Sequence, residues 1–300
     1  MYDIFKTLMP ANLVLFNEPM RGHTSFKIGG AADVFVTPET PLQLTAVWKA
    51  CLERGLPVIV LGGGNNVLVS DAGIRGVVIA TGKMTEITVS GMSINAAAGA
   101  TMGKLADTAC KAGLSGLEFA HGIPGTVGGG VYMNAGAYRG EMKDVCTKVT
   151  ALLPDGETVC YNKADLGLAY RTSRFHNEDA IILKAEFSLT PKPQEEIRAT
   201  MDDLKTRRRD SQPIEERSAG STFKRPKVEG MYAARMIEDC GLKGFTIGGA
   251  QVSTKHSGFV INIGNATAED VLRLMDAVQE KIHAQTGIWL EPEVELLGFN

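Results

Sequence analysis

The spacing of apolar residues predicts several helices, and the clearest one follows Thr267. Its apolar positions, which share one helical face, are Val271, Leu274, Met275, Val278 and Ile282. Thr267 is a good N-cap residue for this segment. Thr40-Pro41 similarly predicts the start of a helix that runs to about Arg54 and stops at Gly55. Further helices are predicted over residues 102–112, 194–208 and 232–238.

Short apolar runs and turn signals predict strands between these helices. Ser90-Gly91 separates strand segments 87–89 and 93–97, and Pro154-Asp155-Gly156 separates 149–153 and 158–161. Other strands are predicted at 58–61, 67–69, 77–80, 181–189, 259–263 and 290–296. Helices mixed with several hairpins favour an α+β fold over a doubly wound parallel sheet. Pro191-Lys192-Pro193 marks the best candidate domain boundary.

Composition narrows the class of protein. A chain of 300 residues suits two domains, and 44% hydrophobic residues are enough for a sizeable core. The net charge of −3 argues against a general nucleic-acid binder, and no apolar run reaches the length of a membrane span. The first ten residues lack the features of a signal peptide. The five cysteines form no C-x-x-C pair. We therefore expect a cytoplasmic protein with reduced core thiols and no metal site.

The segment 116–138 is unusually rich in glycine. Residues 116–136 hold seven glycines and a single acidic side chain, Glu118. Glycine loses more conformational entropy on folding than other residues, so such a density needs a reason. Apolar residues such as Val127 and Val131 argue against a flexible linker. The segment is predicted to be an ordered, buried loop whose N–H groups face a ligand, while a glycine-rich turn that serves packing alone remains an alternative.

Another glycine loop, Gly62–Asn66, lies earlier in the chain and directly follows a predicted strand. We call it the first glycine loop, and residues 116–138 the second glycine segment. The first glycine loop fails the dinucleotide-binding fingerprint because Val67 stands where the third glycine belongs and begins a strand. It also lacks the Lys-Ser/Thr of a P-loop. Small residues after a strand can still form a nest of N–H groups that holds a diphosphate. One ligand touching both loops would carry a diphosphate and a flat apolar ring, a description that FAD fits.

Five motifs in order carry a family resemblance. They are L-G-G-G-N-N-V-L at 61–68, G-I-P-G-T-V-G-G with Y-M-N-A-G-A-Y at 122–138, Y-R-T-S-R-F at 170–175, A-G-S-T-F-K-R-P at 219–226 and L-E-P-E-V at 290–294. Together they closely resemble the UDP-N-acetylenolpyruvoylglucosamine reductases, in the branch that lacks a tyrosine-bearing loop. The resemblance runs from about Asn17 to Glu295.

The resemblance implies both a domain plan and a reaction. Residues 1–192 would form an FAD domain of the vanillyl-alcohol-oxidase (PCMH) type, with subdomains at about 1–80 and 81–192. Residues 193–300 would form a substrate-binding α+β domain. Non-covalent FAD would pass a hydride from NADPH to an enolpyruvyl ether on a nucleotide sugar, giving UDP-N-acetylmuramate for peptidoglycan. The expected partner is this small molecule, with no nucleic acid or membrane, and the expected assembly is a monomer or weak dimer.

The resemblance also assigns three catalytic residues. Arg171 would stabilise the enolate through the substrate carboxylate. Ser221 would protonate the enolate carbon. Glu293 would hydrogen-bond that carboxylate or pass it a proton, which implies a raised pKa. Without the resemblance, a structural arginine, a turn serine and solvent-facing strand carboxylates are the simpler interpretations.

Binding residues follow from the same motifs. The residues expected to line FAD are Leu61, Gly62, Gly63, Gly64, Asn65, Asn66, Val67, Ile123, Pro124, Gly125, Thr126, Gly128, Gly129, Asn134, Ala135 and Gly136. The residues expected to contact the substrate are Tyr170, Lys224, Arg225 and Glu291. Arg225 stands where many relatives carry Asn, so the assignment of uridine and diphosphate contacts is open. Arg174 ranks below Arg171, and the run 207–209 is interpreted as a solvated face.

Two other classes of function compete with this interpretation. One is a flavin oxidase on the same scaffold, for which His121 is the histidine near the flavin loops that could attach the ring covalently. The other is a nucleotide-binding protein without catalysis. The joint presence of Arg171, Ser221 and Glu293 argues against the second.

Overall fold

The computed structural model describes residues 2–299, and its helices follow the predicted caps. Within these residues the α-helices are α1 Phe5–Leu8, α2 Pro41–Glu53, α3 Met102–Lys111, α4 Val127–Tyr132, α5 Met142–Val145, α6 Gln194–Ser211, α7 Ala233–Asp239 and α8 Ala268–Thr286. Thr40 and Thr267 each accept a hydrogen bond from a backbone N–H of the first turn, and Gly287 ends α8 at φ 73°. These caps satisfy N–H groups that have no partner inside the helix. None of the helices of residues 2–299 is long and apolar enough to cross a membrane.

The strands are short and mostly antiparallel. They are β1 Val14–Pro19, β2 Ala31–Val36, β3 Val58–Leu61, β4 Val67–Val69, β5 Ile74–Ala80, β6 Ile87–Ser90, β7 Ser93–Ala97, β8 Leu114–Ser115, β9 Gly136–Ala137, β10 Gly140–Glu141, β11 Cys146–Leu152, β12 Thr158–Asn162, β13 Ile181–Ser188, β14 Thr190–Pro191, β15 Arg217–Ser221, β16 Thr246–Ile247, β17 Ala250–Val252, β18 Phe259–Asn262 and β19 Glu295–Leu297. Both predicted hairpins, β6–β7 and β11–β12, are confirmed.

The chain divides into two compact units that alternate along the sequence. The first comprises Met1–Asn17, Asp33–Gly63 and Gly76–Arg207, and the second comprises Glu18–Ala32, Gly64–Arg75 and Arg208–Asn300. The boundary at residue 192 between the FAD domain and the substrate-binding domain stays a prediction.

The first unit contains two sheets and two apolar cores. Its five-stranded antiparallel sheet has the order β12-β11-β13-β7-β6, and most residues of the sheet β1-β2-β5-β3 also belong to this unit. One core lies around α3, α4 and the five-stranded sheet, with Leu105, Val131 and Phe187 fully buried. The other lies around α2, with Leu44 and Val47 fully buried. The five-stranded sheet and α4 set the position of the second glycine segment.

The second unit has one apolar core beneath helix α8. The antiparallel sheet β15-β18-β17-β16 packs on α8, whose buried face is the predicted one: Val271, Leu274, Met275, Val278 and Ile282. Complete burial of one such side chain stabilises the fold by about 1.5–3 kcal/mol. The parallel pair β19–β4 joins residue 295 to residue 67.

Two sequence predictions are wrong in detail. The segment 116–138 is not a continuous loop, because α4 forms in its middle with Thr126 as N-cap. The predicted strand 290–296 is ordered as a strand only over Glu295–Leu297. Phe223 and Pro292 form an isolated antiparallel bridge, so residues 291–293 pair in a different direction from β19.

Candidate active site

The first glycine loop begins against the second glycine segment within the first unit. A Cβ added to Gly62 would lie 2.5 Å from Thr126 Oγ1, a distance that real side chains do not adopt. Gly62 is therefore required by the close approach of the two segments. Within residues 2–299, the N–H groups of Gly62, Gly63, Gly64 and Asn65 donate to no backbone carbonyl.

The N–H groups of the second segment are used differently. Val127 N donates to Ala100 O and Gly128 N to Ala98 O, each at 2.8 Å. Gly129 is exposed, and its N–H makes only a long 3.5 Å bond to Thr126 Oγ1. The prediction of a loop with bare N–H groups is therefore wrong for Val127 and Gly128, because they fix α4 on the segment before α3.

Arg171 lies in a tight turn with an unusual backbone. Ala169 and Thr172 exchange both backbone hydrogen bonds, at 3.1 and 3.2 Å. Arg171 has φ 53° inside this turn. The left-handed region costs a non-glycine residue about 1–2 kcal/mol, and this position of such a turn normally holds Gly or Asn. Residues kept in this conformation require surroundings that hold them there.

The surroundings of the Arg171 turn come from the second glycine segment. Asn134 is fully buried, and its Nδ2 donates to Ala169 O at 2.9 Å. On the other side of the turn, Ser173 Oγ donates to Tyr132 O at 2.7 Å. Residues 132–134 therefore hold both ends of the turn.

Asn134 also belongs to a small charged network. Its Nδ2 donates to Glu141 Oε2 at 2.9 Å, and its Oδ1 accepts from Lys143 N at 2.9 Å. Burial alone would raise the pKa of Glu141. Hydrogen bonds from Lys143 and Asn134, together with the charge of Arg171, outweigh this effect, so the pKa of Glu141 lies below its usual value. Glu141 consequently remains a carboxylate beside the turn.

The next arginine, Arg174, serves the structure. Its Nε donates to Glu178 Oε2 at 2.6 Å, its Nη1 donates to Asp165 O at 2.7 Å, and its guanidinium lies 3.6 Å from the centre of the Tyr161 ring. Tyr170, in contrast, is 45% exposed. The lower rank given to Arg174 agrees with these contacts.

Ser221 follows a β-bulge in the second unit. Between the pairs Ser218–Ile261 and Ser221–Phe259, strand β15 carries one residue more than β18. Gly220 lies in the bulge at φ 78°, and a Cβ there would meet open space. Ser221 is half-buried at the end of β15.

Thr222 connects this bulge to the segment that carries Glu293. The Thr222 hydroxyl accepts from Val260 N at 2.9 Å, and Thr222 O accepts from Glu293 N at 2.8 Å. Asn66 holds the other side of Glu293: its Nδ2 donates to Glu293 O at 2.9 Å, and its own carbonyl accepts from Glu295 N at 2.9 Å. The Asn66 side chain, assigned to FAD from the motif, thus has a partner in the protein.

Lys224 and Glu291 form an ion pair with each other. Their charged atoms are 2.5 Å apart, and Lys224 N also donates to Glu291 O at 2.8 Å. The hydrogen bond from Lys224 lowers the pKa of Glu291. Arg225 is exposed, with its guanidinium 4.8 Å from the ring centre of Tyr232. In the run 207–209, Arg207 pairs with Asp203 at 2.9 Å on an exposed helix face.

The remaining candidates have local roles. His121 lies 3.9 Å from Asp107 with little exposed surface. Burial raises the pKa of both Cys51 and Cys146 to about 12, which makes them poor nucleophiles at neutral pH. Cys160 is exposed, so the expectation of core thiols is wrong for this residue.

The structure thus gathers the candidates into two groups, one in each unit. Arg171 and Tyr170 lie with the second glycine segment, and Ser221 and Glu293 lie with Lys224 and Glu291. Sequence reasoning missed the supporting roles of Ser173, Glu141 and Thr222. For Thr222, no local signal in the sequence indicates this role, because its neighbours Ser221 and Lys224 are polar as well.

Known proteins share these features across the chain. Residues 32–161 match a family described as an FAD binding domain, and residues 212–297 match the C-terminal domain of UDP-N-acetylenolpyruvoylglucosamine reductase. The chain is 46% identical to a UDP-N-acetylenolpyruvoylglucosamine reductase of Syntrophomonas wolfei over 299 residues, which is 99% of each protein. The chain belongs to this reductase family.

Other relatives agree with the assignment. The Agathobacter rectalis reductase is 48% identical over 305 residues, covering 97% of this chain and 96% of that protein. The crystal structure of the reductase from Thermus caldophilus has a TM-score of 0.81 and 35% identity, covering 95% of this chain and 98% of that one. The predicted α+β class, with an FAD-binding domain and a C-terminal domain, is confirmed.

The residues present fit FAD. The loop that starts at Gly62 offers consecutive N–H groups without backbone acceptors in residues 2–299, as a diphosphate requires. Gly129 is exposed at the adjoining segment, and any side chain at Gly62 would collide with Thr126.

Proposed function

We propose a division of roles among Arg171, Ser221 and Glu293 in the reaction of this family. The chain is an FAD-dependent oxidoreductase that reduces the enolpyruvyl ether of UDP-N-acetylglucosamine-enolpyruvate to UDP-N-acetylmuramate, with NADPH as reductant. The product is a precursor of peptidoglycan, so the reaction supports cell-wall biogenesis, cell shape and cell division. Residues of the two glycine segments would hold FAD, and the bound flavin would supply the methylene carbon of the enolpyruvyl group with a hydride that comes from NADPH.

Hydride addition at the methylene carbon places negative charge on the neighbouring carbon and its carboxylate. Arg171 binds that carboxylate through its guanidinium, a planar group whose N–H donors match the two oxygens of a carboxylate. A fixed cation stabilises the developing enolate without reorganisation during the step. The observation that supports this role most directly is the left-handed turn, which holds Arg171 at φ 53° by contacts on both sides.

Ser221 donates a proton to the enolate carbon and thereby completes the reduction. The bulge at Gly220 ends β15 at Ser221, and bulges commonly redirect a functional side chain. The residue after Ser221, Thr222, is fixed in place because it accepts hydrogen bonds from Val260 N and Glu293 N.

Glu293 binds the substrate carboxylate or passes it a proton. Its backbone is fixed on both sides, by Thr222 O at its N–H and by Asn66 Nδ2 at its carbonyl. Glu291 forms an ion pair with Lys224, and we assign Glu291 the weaker, substrate-binding role. On substrate binding, Lys224 exchanges this carboxylate for a phosphate of the nucleotide sugar.

FAD is held by the two glycine segments, residues 61–67 and 123–136, while Tyr170 and Arg225 contact the substrate. We assign the diphosphate to the N–H groups of residues 62–65. We further propose a cytoplasmic enzyme that works as a monomer or weak dimer on a dissolved nucleotide sugar, without a nucleic-acid or membrane partner. The oxidase alternative is not favoured, because the relatives named above are reductases.

Separate measurement of the two half-reactions tests these roles. Anaerobic NADPH should bleach the flavin absorbance of the wild-type enzyme, and UDP-N-acetylglucosamine-enolpyruvate should restore it. Ser221→Ala should keep the first step and slow the second by about 10²–10⁴-fold, the range of general acid catalysis. Glu293→Gln should behave in the same way.

Glu291→Gln is the matched control for Glu293→Gln, since the two carboxylates flank Pro292. It should chiefly raise the KM for the nucleotide sugar. A Ser221→Ala enzyme that restores flavin absorbance at the wild-type rate would exclude Ser221 as the donor. A larger effect for Glu291→Gln than for Glu293→Gln would reassign the acid.

A further inference from the structure

Asn134 has a chemical role that its place in a glycine-rich motif does not explain. Its backbone lies at φ 42°, a conformation that glycine would adopt without strain. An amide with no exposed surface also costs free energy on burial unless its groups are paired. If only the backbone conformation mattered, glycine would serve better, so the amide itself is required.

All three hydrogen bonds of this amide are directed to the Arg171 turn or its neighbours. Nδ2 donates to Ala169 O and to Glu141 Oε2, and Oδ1 accepts from Lys143 N, each at 2.9 Å. Both Nδ2 hydrogens are therefore used within the protein. The Asn134 side chain consequently has no donor left for a cofactor.

Ala169 O is the acceptor through which the amide reaches Arg171. This carbonyl also accepts the Thr172 N–H that closes the turn. A change in its position would move the turn, in which Arg171 is held at φ 53°, a conformation that persists only where the surroundings impose it.

We propose that Asn134 is a positioning residue whose buried amide locks the Arg171 turn onto the second glycine segment, so that the guanidinium is held at a fixed place for the substrate carboxylate. This inference rests on the proposed role of Arg171. The motif assigned Asn134 to FAD binding. Our proposal instead assigns its side chain to the half-reaction in which the substrate is reduced.

Asn134→Asp tests this role with little change in shape. Aspartate tolerates positive φ but offers a carboxylate to Ala169 O and Glu141 where the amide offered two donors. In the FAD-bound enzyme, the rate of flavin reoxidation by UDP-N-acetylglucosamine-enolpyruvate should fall by about 10²-fold, the effect of a misplacement near 1 Å. The affinity for FAD and the rate of reduction by NADPH should stay within about twofold, which a structural or cofactor role would not allow.

Asn265→Asp is the matched control. Asn265 also has positive φ, 55°, but it is exposed. This substitution should leave both half-reactions unchanged. Ser173→Ala is the second test variant, because it removes the bond to Tyr132 O at the other end of the turn while leaving Asn134 intact. It should slow reoxidation about tenfold, and it replaces Asn134→Asp in the experiment below if that variant does not fold.

A double-mutant cycle with Arg171→Gln separates this inference from the proposed function. If Asn134 acts through Arg171, Asn134→Asp should add less than about twofold to the loss already caused by Arg171→Gln. Independent effects that multiply would overturn the inference while leaving the role of Arg171 intact. Normal reoxidation by Arg171→Gln alone would overturn both, and weaker FAD binding by Asn134→Asp would return the side chain to the cofactor site.

Discussion

The Arg171 turn and the Ser221 bulge use the left-handed backbone in opposite ways. At the bulge, the positive φ belongs to Gly220, and the functional residue follows it in β15. At the turn, the positive φ belongs to Arg171 itself. Glycine adopts this region without strain, whereas arginine does not.

The difference determines what each region needs from its surroundings. The bulge is stable by virtue of its glycine, so its neighbours are free to fix Thr222 and Glu293. The turn must be held by external contacts from Asn134 and Ser173. Strain of this kind persists where it has a use, and replacing the strained residue should remove function without loss of stability.

The largest expected effect is that of Arg171→Gly. Substrate-driven flavin reoxidation should fall by about 10²–10³-fold, since one preorganised charge contact contributes about 2.7–4 kcal/mol to the barrier. The free energy of unfolding should change by no more than about 1 kcal/mol, because glycine relieves the backbone strain. Stopped-flow absorbance and urea unfolding of the same preparation measure the two quantities.

Arg174→Gln is the matched arginine variant and should show the reverse result. Loss of its contacts with Glu178, Asp165 and Tyr161 should lower stability by about 1–2 kcal/mol, with reoxidation changed only a few-fold. A strongly destabilised Arg171→Gly protein would remove the contrast between the turn and the bulge.

Gly220→Ala should have an intermediate effect. No atom lies within 4 Å of the added Cβ, so the strain comes from φ alone and should cost about 1–2 kcal/mol. The bulge should shift to relieve it, and reoxidation, which needs Ser221 in place, should fall at least tenfold. Gly241→Ala is the control: Gly241 has φ 67° and equally open surroundings but follows α7. It should cost similar stability and preserve the rate, and equal rate losses in both variants would argue against a specific role for the bulge.

The smallest expected effect is on the pH dependence of stability. It concerns His256, two residues before Gly258, whose carbonyl accepts a hydrogen bond from Thr222 N beside the bulge. Burial lowers the pKa of His256 below its usual 6.5, and Gly258 N donates to its Nδ1 at 3.2 Å. The unfolded chain therefore takes up this proton more readily than the folded one. The stabilisation that neutral His256 provides is complete above pH 6.5 and is lost as the pH falls through the lowered pKa.

His256→Asn keeps an acceptor for Gly258 N but cannot titrate. The decline of the melting temperature between pH 6.5 and 5 should be less steep for this variant than for the wild type. At the turn, Glu141 has a lowered pKa and should stay charged over the same range, so Glu141→Gln should not alter the slope there. Parallel slopes for wild type and His256→Asn would contradict the assignment.

Much of the fold could be predicted because local signals agree with the tertiary structure. The N-cap residues Thr40 and Thr267 mark where two helices begin, and the apolar periodicity of α8 predicts its buried face. Both hairpins have turn residues between their strands. The end of the chain could not be predicted in this way. The alternation of apolar and acidic residues at 290–296 suits one strand, but Pro292 pairs with Phe223 while residues 295–297 pair with β4.

The candidate site was predictable in its residue types and less so in its construction. Motifs identified Arg171, Ser221 and Glu293, and their roles stay predictions. Nothing local in Tyr170-Arg171 indicates a positive φ, since arginine rarely adopts one. The amide of Asn134 acts 35 residues away from its own position, a contact that only the fold creates.

The parallel pair β4–β19 can form only late during synthesis of the chain. Residue 67 pairs with residue 295, so about 230 residues separate the two strands. At roughly 5–20 residues per second, a ribosome needs on the order of 10–45 s to make the second strand after the first. During that interval the apolar residues Val67, Leu68 and Val69 have no β19 to pair with, and Glu293, the acidic residue proposed for the reaction, has not yet been made.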